Sequence, residues 1–494
     1  MNLYMYGGDY NPEQWPESTR LQDLELMRQA RVNLVTIGVF SWSLLEPAEG
    51  QFDFAWLDSV LSSLADAGIG VALATPTASP PPWFTLEHPD ALPQTREGVR
   101  LVHGSRDTYC VNAPAYRSAC SAIASELAAR YAFHPALRLW HIHNEYGTWC
   151  FCDHCAVAFR DWLRLRYHSL DDLNEAWSTA FWSQRYGRWE EILPPRATQY
   201  LRNPAHELDY RRFLSSAMLD AYREQRDIIR AAQGAAEDSV PVTTNFALGS
   251  WVPVDHAQWA QEMDIVSIDH YPSTVDSALA EAAFAADAAR GWAGGGDWLL
   301  MEHGPRDSPL MEQIALQHIE RGSRGALFFQ WRACRGGAEQ WLRALVPHEG
   351  PDSSMFRRTV ALGARIASLP RISPARAEIA VWYDEQCSWA LQATHFLPVK
   401  LDYEAEVLRC HSTLESAGHR VDVVPPNASL DPYRVVIVPC AYMLSDASVA
   451  ALRAFGGQLI VGEWSGAVDE HLRVRATPPF PTTPLTADLL ALAQ

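Results

Sequence analysis

The sequence predicts an α/β protein built as a (β/α)₈ TIM barrel followed by a smaller, doubly wound α/β domain. Short apolar runs, many of them β-branched, alternate with longer helical patterns over residues 1–370 of the 494-residue chain. Polar or aromatic residues follow nearly every one of these runs, which is where a parallel barrel presents side chains to its open end. Four further strand-like runs come after a proline-rich boundary.

The eight predicted barrel strands are short β-branched or apolar runs, as expected for parallel strands that are covered by helices. They cover residues 3–6, 33–39, 70–75, 137–141, 242–245, 265–268, 298–301 and 326–329. Because helical patterns lie between them, we assign residues 1–370 to the barrel.

The second predicted domain covers residues 376–472. Its strands lie at residues 378–383, 421–424, 434–438 and 458–461, with helices at 403–417 and 447–455. This alternation is typical of a flavodoxin-like, doubly wound unit. Residues 473–494 are rich in proline and threonine, so we expect them to form a loose tail.

Charge and composition exclude several partners. The chain carries 40 basic and 59 acidic residues, a formal net charge of −19, which disfavours nucleic acid and anionic membranes. Lys400 is the sole lysine, so phosphate-loop and Schiff-base chemistries lack their usual residue. Without a basic leader segment or a long uncharged apolar run, we expect a cytoplasmic protein that does not span a membrane.

Two glutamates stand at the ends of distant predicted strands. Glu145 follows Asn144 after the fourth strand, and Glu302 follows the seventh. In a closed eight-stranded ring these ends point across a common opening. Two facing carboxyl groups are what glycosidic cleavage requires, although each glutamate taken alone also fits a solvated loop residue.

The two carboxyl groups need different protonation states. We expect an ionised Glu302 to hold a proton on Glu145 by like-charge repulsion, until Glu302 becomes esterified and Glu145 turns into a base. Asn144 is placed to hydrogen-bond the 2-hydroxyl of a sugar. The sequence therefore predicts a covalent, two-step mechanism.

Four cysteines have the spacing of a tetrahedral metal site: Cys110, Cys150, Cys152 and Cys155. Such a Cys₄ site leaves no open position for water, so we expect it to be structural and to pin the loop after Glu145. Redox-active thiols and chance burial are the alternatives, and His154 or Asp153 is an alternative ligand for one of the thiols.

A catalytic zinc held by His141, His143 and Glu145 is a further alternative. Alternate residues of a strand share a face, but this is not the helical motif that usually binds a catalytic metal. The spacing therefore disfavours a metallohydrolase.

Seven sequence blocks together resemble the family 42 glycoside hydrolases, which are retaining β-galactosidases. The blocks are YGGDYNPEQW (6–15), FSW (40–42) with LEP (45–47), ASPPPW (78–83), WHIHNEYG (140–147), FWSQ (181–184), DHYP (269–272) and FFQWR (328–332). The resemblance covers most of the chain.

The resemblance implies that Glu145 is the acid/base and Glu302 the nucleophile. It places Arg106 and Asn144 on the galactosyl unit. Trp182, Tyr271 and Glu339 would form the walls of the sugar subsite. It further implies structural zinc on the four cysteines, and a glutamine-amidotransferase-like second domain that builds a homotrimer.

Three departures from the family pattern bear on the sugar site and the assembly. The connection after Glu302 is short and lacks a segment that carries a tryptophan over the sugar. Leu342 stands where the family has a histidine, which removes one hydrogen bond to the sugar. The sequence ends before the family's small carboxyl-terminal β-domain, which implies a short or truncated member and leaves the trimer open.

We therefore expect a retaining glycoside hydrolase acting on terminal β-D-galactosides by double displacement. The alternatives are a related exo-glycosidase acting on α-L-arabinopyranosides or β-D-fucosides, and a non-catalytic, carbohydrate-binding barrel with an altered sugar pocket. The sequence fixes neither the natural substrate nor its linkage.

Overall fold

A computed structural model describes residues 3–234, 239–249, 251–374 and 377–487. Its larger sheet has the strands β1 (Met5–Asp9), β2 (Leu34–Ile37), β3 (Gly70–Thr75), β4 (Leu137–Ile142), β5 (Val242–Thr243), β6 (Asn245–Ala247), β7 (Val266–His270), β8 (Trp298–His303) and β9 (Ser323–Phe328). All pairs are parallel, in the order β5-β4-β3-β2-β1-β9-β8-β7-β6. Because only Thr244 separates β5 from β6, the sheet closes as an eight-position barrel, which confirms the predicted fold class.

Helices cover the outside of the barrel, most of them between consecutive strands. They are α1 (Glu17–Gln29), α2 (Trp42–Leu45), α3 (Ala55–Asp66), α4 (Pro82–Glu87), α5 (Pro114–Tyr131), α6 (Asp153–Tyr167), α7 (Leu170–Ala176), α8 (Pro204–Gln233), α9 (His256–Trp259), α10 (Ala278–Trp292), α11 (Pro309–Glu320) and α12 (Ser354–Ala367). Among the described residues, no helix combines the length and the apolar character needed to cross a membrane.

Strand β1 begins and ends later than the sequence predicts. The apolar run at residues 3–6 marks only its start, and the strand continues through Gly7 and Gly8 to Asp9. A Cβ atom on Gly8 would lie 2.1 Å from the carbonyl oxygen of Phe328 on β9. The close approach of the neighbouring backbone therefore requires glycine, and glycine removes the sequence signal of a strand.

The second domain contains a four-stranded parallel sheet in the order β11-β10-β12-β13. Its strands are β10 (Ile379–Trp382), β11 (Val421–Val424), β12 (Val435–Val438) and β13 (Gln458–Val461), and its helices are α13 (Glu385–Ala393), α14 (Tyr403–Ser416) and α15 (Asp446–Ala454). This order is that of a flavodoxin-like, doubly wound unit, as predicted.

The prediction of a loose tail is wrong for its described part. Leu485 is buried, and its carbonyl oxygen accepts a hydrogen bond of 2.7 Å from Arg409 of α14. Thr483 pairs with Gly462, directly after β13. Residues 473–487 therefore pack on the second domain, because proline-rich chain buries side chains without forming a regular strand. Residues 488–494 lie outside the described residues.

The two domains share a buried, charged interface along α10. His411 of α14 lies 2.8 Å from Asp287 of α10, and neither side chain is exposed to solvent. Arg321 forms ion pairs with both Asp287 and Glu415. A Cβ atom on Gly291 of α10 would lie only 1.8 Å from the carbonyl oxygen of Val423 in β11, so the helix and the strand are in backbone contact.

Candidate active site

Glu145 owes its position to an unusual backbone after β4. His143 and Glu145 have φ values of 64° and 45°, a region that non-glycine residues rarely adopt and that is associated with functional sites. The amide of Glu145 donates a hydrogen bond of 2.8 Å to Oδ1 of Asn245. This bond holds the turn that presents the carboxylate at the open end of the barrel.

Glu302 lies within β8 and is buried. The hydroxyl of Tyr271 donates a hydrogen bond of 2.6 Å to its Oε2, and the amide of Asn245 donates one of 3.1 Å to its Oε1. Carboxylate oxygens of Glu145, Asp269 and Glu302 all lie within 4.8 Å of one another. The two predicted catalytic glutamates therefore do face each other.

Asn245 connects the cluster, and the sequence analysis assigned it no role. Its Nδ2 donates to Oδ2 of Asp269 at 2.6 Å and to Oδ1 of Asn144 at 3.1 Å, in addition to Glu302. In the sequence, the signal for such a role is its position as a polar residue at the end of the fifth predicted strand. Asp9, at the end of β1, joins the same cluster electrostatically.

The electrostatics differ from the sequence-based expectation. Burial raises the pKa of Glu302 well above its usual range, and the charges of Asp9 and Glu145 raise it further. Burial likewise raises the pKa of Asp9 to about 8. Meanwhile the guanidinium of Arg106 lies 2.6 Å from Oε2 of Glu145. The positive charge therefore contacts Glu145, and the unfavourable ionisation is that of Glu302.

A cavity of about 620 Å³ opens over both glutamates. Four predicted sugar contacts line it: Arg106, Asn144, Tyr271 and Glu339. Trp341 and Leu342 also line it, together with Arg306 and Arg343, for which the sequence analysis proposed no role. In the sequence, Leu342 stands where the family has a histidine, and this difference indicates that the wall departs from the family pattern.

Trp182 does not lie where the sequence analysis expects it. It belongs to the short 3₁₀ segment Phe181–Ser183, is 54% exposed and packs against Phe181 and Tyr200. It is not among the residues that line the cavity. The aromatic residues that do line it are Phe40, Tyr271, Phe329 and Trp341.

The four predicted metal-binding cysteines are buried and converge. The Sγ atom of Cys110 lies 3.5 Å from that of Cys155 and 3.4 Å from that of Cys152, and Cys150 completes a set within 4.8 Å. Tetrahedral zinc thiolate places sulfur atoms about 3.8 Å apart, so this donor set fits zinc in both chemistry and spacing. His154 instead pairs with Asp90 at 2.9 Å.

The structure gives no support to a catalytic zinc on the histidines after β4. Nε2 of His141 lies 3.0 Å from Oδ1 of Asn245, while His143 contacts Thr77 and Tyr109 through its two ring nitrogens. The two imidazole rings therefore hydrogen-bond different partners. Among the described residues, neither ring belongs to a metal-binding group with Glu145.

Comparisons with known proteins agree with this geometry. A family model described as the β-galactosidases of glycoside hydrolase family 42 matches residues 9–369. A second model, described as a β-galactosidase trimerisation domain, matches residues 377–487. The chain belongs to family 42. It is therefore a glycosidase.

Similar proteins share nearly the whole of the chain. A β-galactosidase from an Arthrobacter species is 43% identical over 95% of this chain and 70% of its own length. A β-galactosidase from Geobacillus kaustophilus is 41% identical over 95% of this chain and 72% of its own. The crystal structure of a β-galactosidase from Bacillus circulans sp. alkalophilus superimposes with a TM-score of 0.91 at 34% identity, covering 96% of this chain and 73% of that one.

Proposed function

We propose that this family 42 member hydrolyses terminal β-D-galactosides with retention of configuration, through a covalent glycosyl-enzyme. One observation carries the mechanism: oxygens of Glu145 and Glu302 lie within 4.8 Å of each other. Retaining glycosidases hold the two carboxyl groups about 5 Å apart, whereas inverting enzymes separate them by roughly 6.5–9.5 Å to admit water. The names of the similar proteins support galactose as the sugar.

In the first step, Glu302 attacks the anomeric carbon while Glu145 gives its proton to the departing glycosidic oxygen. In the second step, Glu145 removes a proton from water, which attacks the ester and releases Glu302. Tyr271 and Asn245 donate hydrogen bonds to Glu302 and stabilise its ionised form.

Galactoside binding has to bring Glu145 and Glu302 into different protonation states. Arg106 contacts Glu145, and the pKa of Glu302 is raised by burial and neighbouring charge. Arg106 and Asn144 donate hydrogen bonds of 2.6 Å and 3.3 Å to Oε2 of Glu145, and a galactosyl unit that binds both side chains would compete for these donors. In the reactive complex Glu302 is ionised and Glu145 carries the proton that it gives to the leaving group.

The test compares two glutamate variants on galactosides with good and poor leaving groups. Glu302→Ala should lose about 10³-fold or more in kcat on nitrophenyl β-galactoside, because the nucleophile is gone. Glu145→Ala should lose far less on a dinitrophenyl galactoside than on an alkyl galactoside, because a good leaving group needs no proton. Glu312→Ala, an exposed glutamate on α11, serves as the control.

Two results would reject the proposal: equal activity of the wild type and both active-site variants, or an initial product of inverted configuration by NMR. Nitrophenyl α-L-arabinopyranoside and β-D-fucoside, assayed in parallel, rank the related sugars against galactose.

We further propose that the four cysteines hold one structural zinc ion. Zinc would join the loop that carries Cys110 to the segment that follows Glu145, without reaching the substrate. The backbone amide of Gln94 and the side-chain amide of Asn112 donate to sulfur atoms of the cluster at 3.4 Å, as expected around thiolates.

Cys152→Ser should lose the zinc and lower Tm, whereas Cys334→Ser, at a buried cysteine outside the cluster, should keep the metal. Elemental analysis and thermal unfolding of the purified proteins measure both effects. A wild-type protein that is stable and metal-free would contradict this assignment.

The assembly and the compartment are also proposals. The match of residues 377–487 to a trimerisation domain supports a homotrimer, which sedimentation equilibrium tests directly. None of the nine cysteines forms a disulfide, which fits a reducing compartment such as the cytoplasm.

A further inference from the structure

Two arginines on the wall of the active-site cavity have no ionic partner among the described residues. Arg306 and Arg343 both line the cavity, yet neither makes an ion pair or a side-chain hydrogen bond there. By contrast Arg106, on the same wall, contacts Glu145 and Asp107. A guanidinium presents a planar fork of donors that matches carboxylate, sulfate and phosphate oxygens. The wall is therefore equipped to receive an anion.

These arginines lie at the outer part of the cavity. Arg306 belongs to the short connection between Glu302 and α11, and it is half-buried. Arg343 is exposed and follows Trp341, which is 82% exposed. The galactosyl unit has to reach the buried Glu302, so the part of the substrate beyond the scissile bond extends towards the exposed wall. The free arginines thus face the leaving group.

The apolar neighbours of Arg343 strengthen this argument. Trp341 and Leu342 form an exposed apolar stretch of the same wall, next to Arg343. Physiological salt screens charges beyond about 8 Å, so most of the net charge of −19 acts weakly here, and the acids that oppose an anion are the glutamates of the cavity itself: Glu145, Glu302 and Glu339. Trp341 also offers a ring face on which a sugar or polyol packs.

We propose that the cavity binds β-galactosides whose leaving group carries an anionic substituent, a carboxylate, sulfate or phosphate, held by Arg306 and Arg343. This inference rests on the proposed galactosidase activity and specifies the class of leaving group. It assigns the two arginines to recognition of the leaving group and gives them no part in bond cleavage.

The experiment compares two substrates that differ in one charge: lactobionate, in which galactose is linked to gluconate, and lactitol, in which it is linked to glucitol. The wild type should prefer lactobionate in kcat/KM by about 10-fold, because bonds to a charged group from two partly exposed arginines contribute on this order. The double variant Arg306→Gln/Arg343→Gln should bring the ratio close to one. Arg324→Gln, at the opposite end of the barrel on β9, should keep the wild-type ratio.

A binding measurement keeps the test independent of turnover. With Glu302→Gln, calorimetry should show tighter binding of lactobionate than of lactitol, and added salt should reduce the difference. Equal binding of both ligands, or a preference that survives in Arg306→Gln/Arg343→Gln, overturns the inference. Equal kcat/KM values of the wild type for lactobionate and lactitol also overturn it, yet leave the galactosidase proposal standing.

A substrate that carries its charge on the galactosyl unit tests which part of the substrate the arginines contact. If nitrophenyl β-galactoside 6-phosphate is cleaved faster than nitrophenyl β-galactoside, the arginines read a charge on the galactosyl unit, and the assignment to the leaving group is wrong. If no galactoside is hydrolysed by the wild type, the proposed function fails, and the calorimetric comparison still decides whether the arginines bind an anion.

Discussion

Asn245 is the residue through which both catalytic glutamates are positioned. Its oxygen accepts from the amide of Glu145, and its nitrogen donates to Glu302. Asn245→Asp replaces that donor with another carboxyl group, so we expect a loss of about 10²-fold or more in kcat/KM. The added negative charge should also raise the pKa of Glu302 and move the acidic limb of the pH–rate profile to higher pH.

Steady-state kinetics between pH 4 and 8 measure both effects of Asn245→Asp. The exposed Asn427→Asp is the matched control and should leave the profile in place. An Asn245→Asp enzyme with an unshifted acidic limb would show that the amide does not act on Glu302.

The buried carboxyl group of Asp9 makes the stability of the fold depend on pH. In the folded chain its pKa is raised to about 8 by burial, whereas an unfolded aspartate titrates near about 4. Between these values the folded state binds more protons than the unfolded state, so the contribution of Asp9 to stability falls as pH rises. Asp9→Asn should therefore gain stability relative to the wild type from pH 5 to pH 8.

Urea unfolding at the two pH values measures this difference, with Asp66→Asn as the control, since Asp66 is exposed. A difference between Asp9→Asn and the wild type that is the same at both pH values would contradict the titration of Asp9.

The local sequence pattern was sufficient to predict the acidic residues at strand ends and the group of closely spaced cysteines. Glu145, Glu302 and the four cysteines were found in this way, and the structure brings each set together. Asn245 was not assigned, because its role arises from the distance between strands. The contact of Trp182 with the sugar stays a prediction: the residue lies outside the lining of the cavity, and the direction of an exposed 3₁₀ segment is set by tertiary packing that local sequence does not show.

At the scale of elements, β1 shows that hydrophobic periodicity does not detect a strand segment made of glycine. The strand depends on Gly7 and Gly8, which lack the apolar side chains that predict a strand. The barrel as a whole was nevertheless predictable, since the remaining strands are apolar and buried on both faces. The proline-rich stretch at residues 473–487 was not, because its packing follows from the surface it covers.

Gly8→Ala should destabilise the barrel by about 3 kcal/mol, because a Cβ atom 2.1 Å from the carbonyl oxygen of Phe328 forces two strands apart. Gly456→Ala is the control, since a Cβ atom there has no neighbour within 4 Å. Chemical denaturation measures the free energy of unfolding of both. Equal stability of the two variants would mean that β1 and β9 separate easily.

At the scale of the molecule, buried charges connect the two domains. Asp287 of the barrel contacts His411, Arg290 and Arg321. Asp287→Ala leaves these groups without their shared anion, so we expect a loss of about 3–5 kcal/mol and earlier unfolding of the second domain. Calorimetry resolves the two transitions. Glu25→Ala, which removes an exposed pair with Arg28, should change stability by less than about 1 kcal/mol.

The glycine at position 291 also constrains how such a chain can evolve. Any side chain there would collide with the carbonyl oxygen of Val423, so the outer surface of a barrel helix is shaped for one specific neighbour. A hybrid that joins this barrel to a foreign second module would inherit a helix weakened by glycine without the contact that compensates for it. We therefore expect the barrel and the second domain to pass between lineages together.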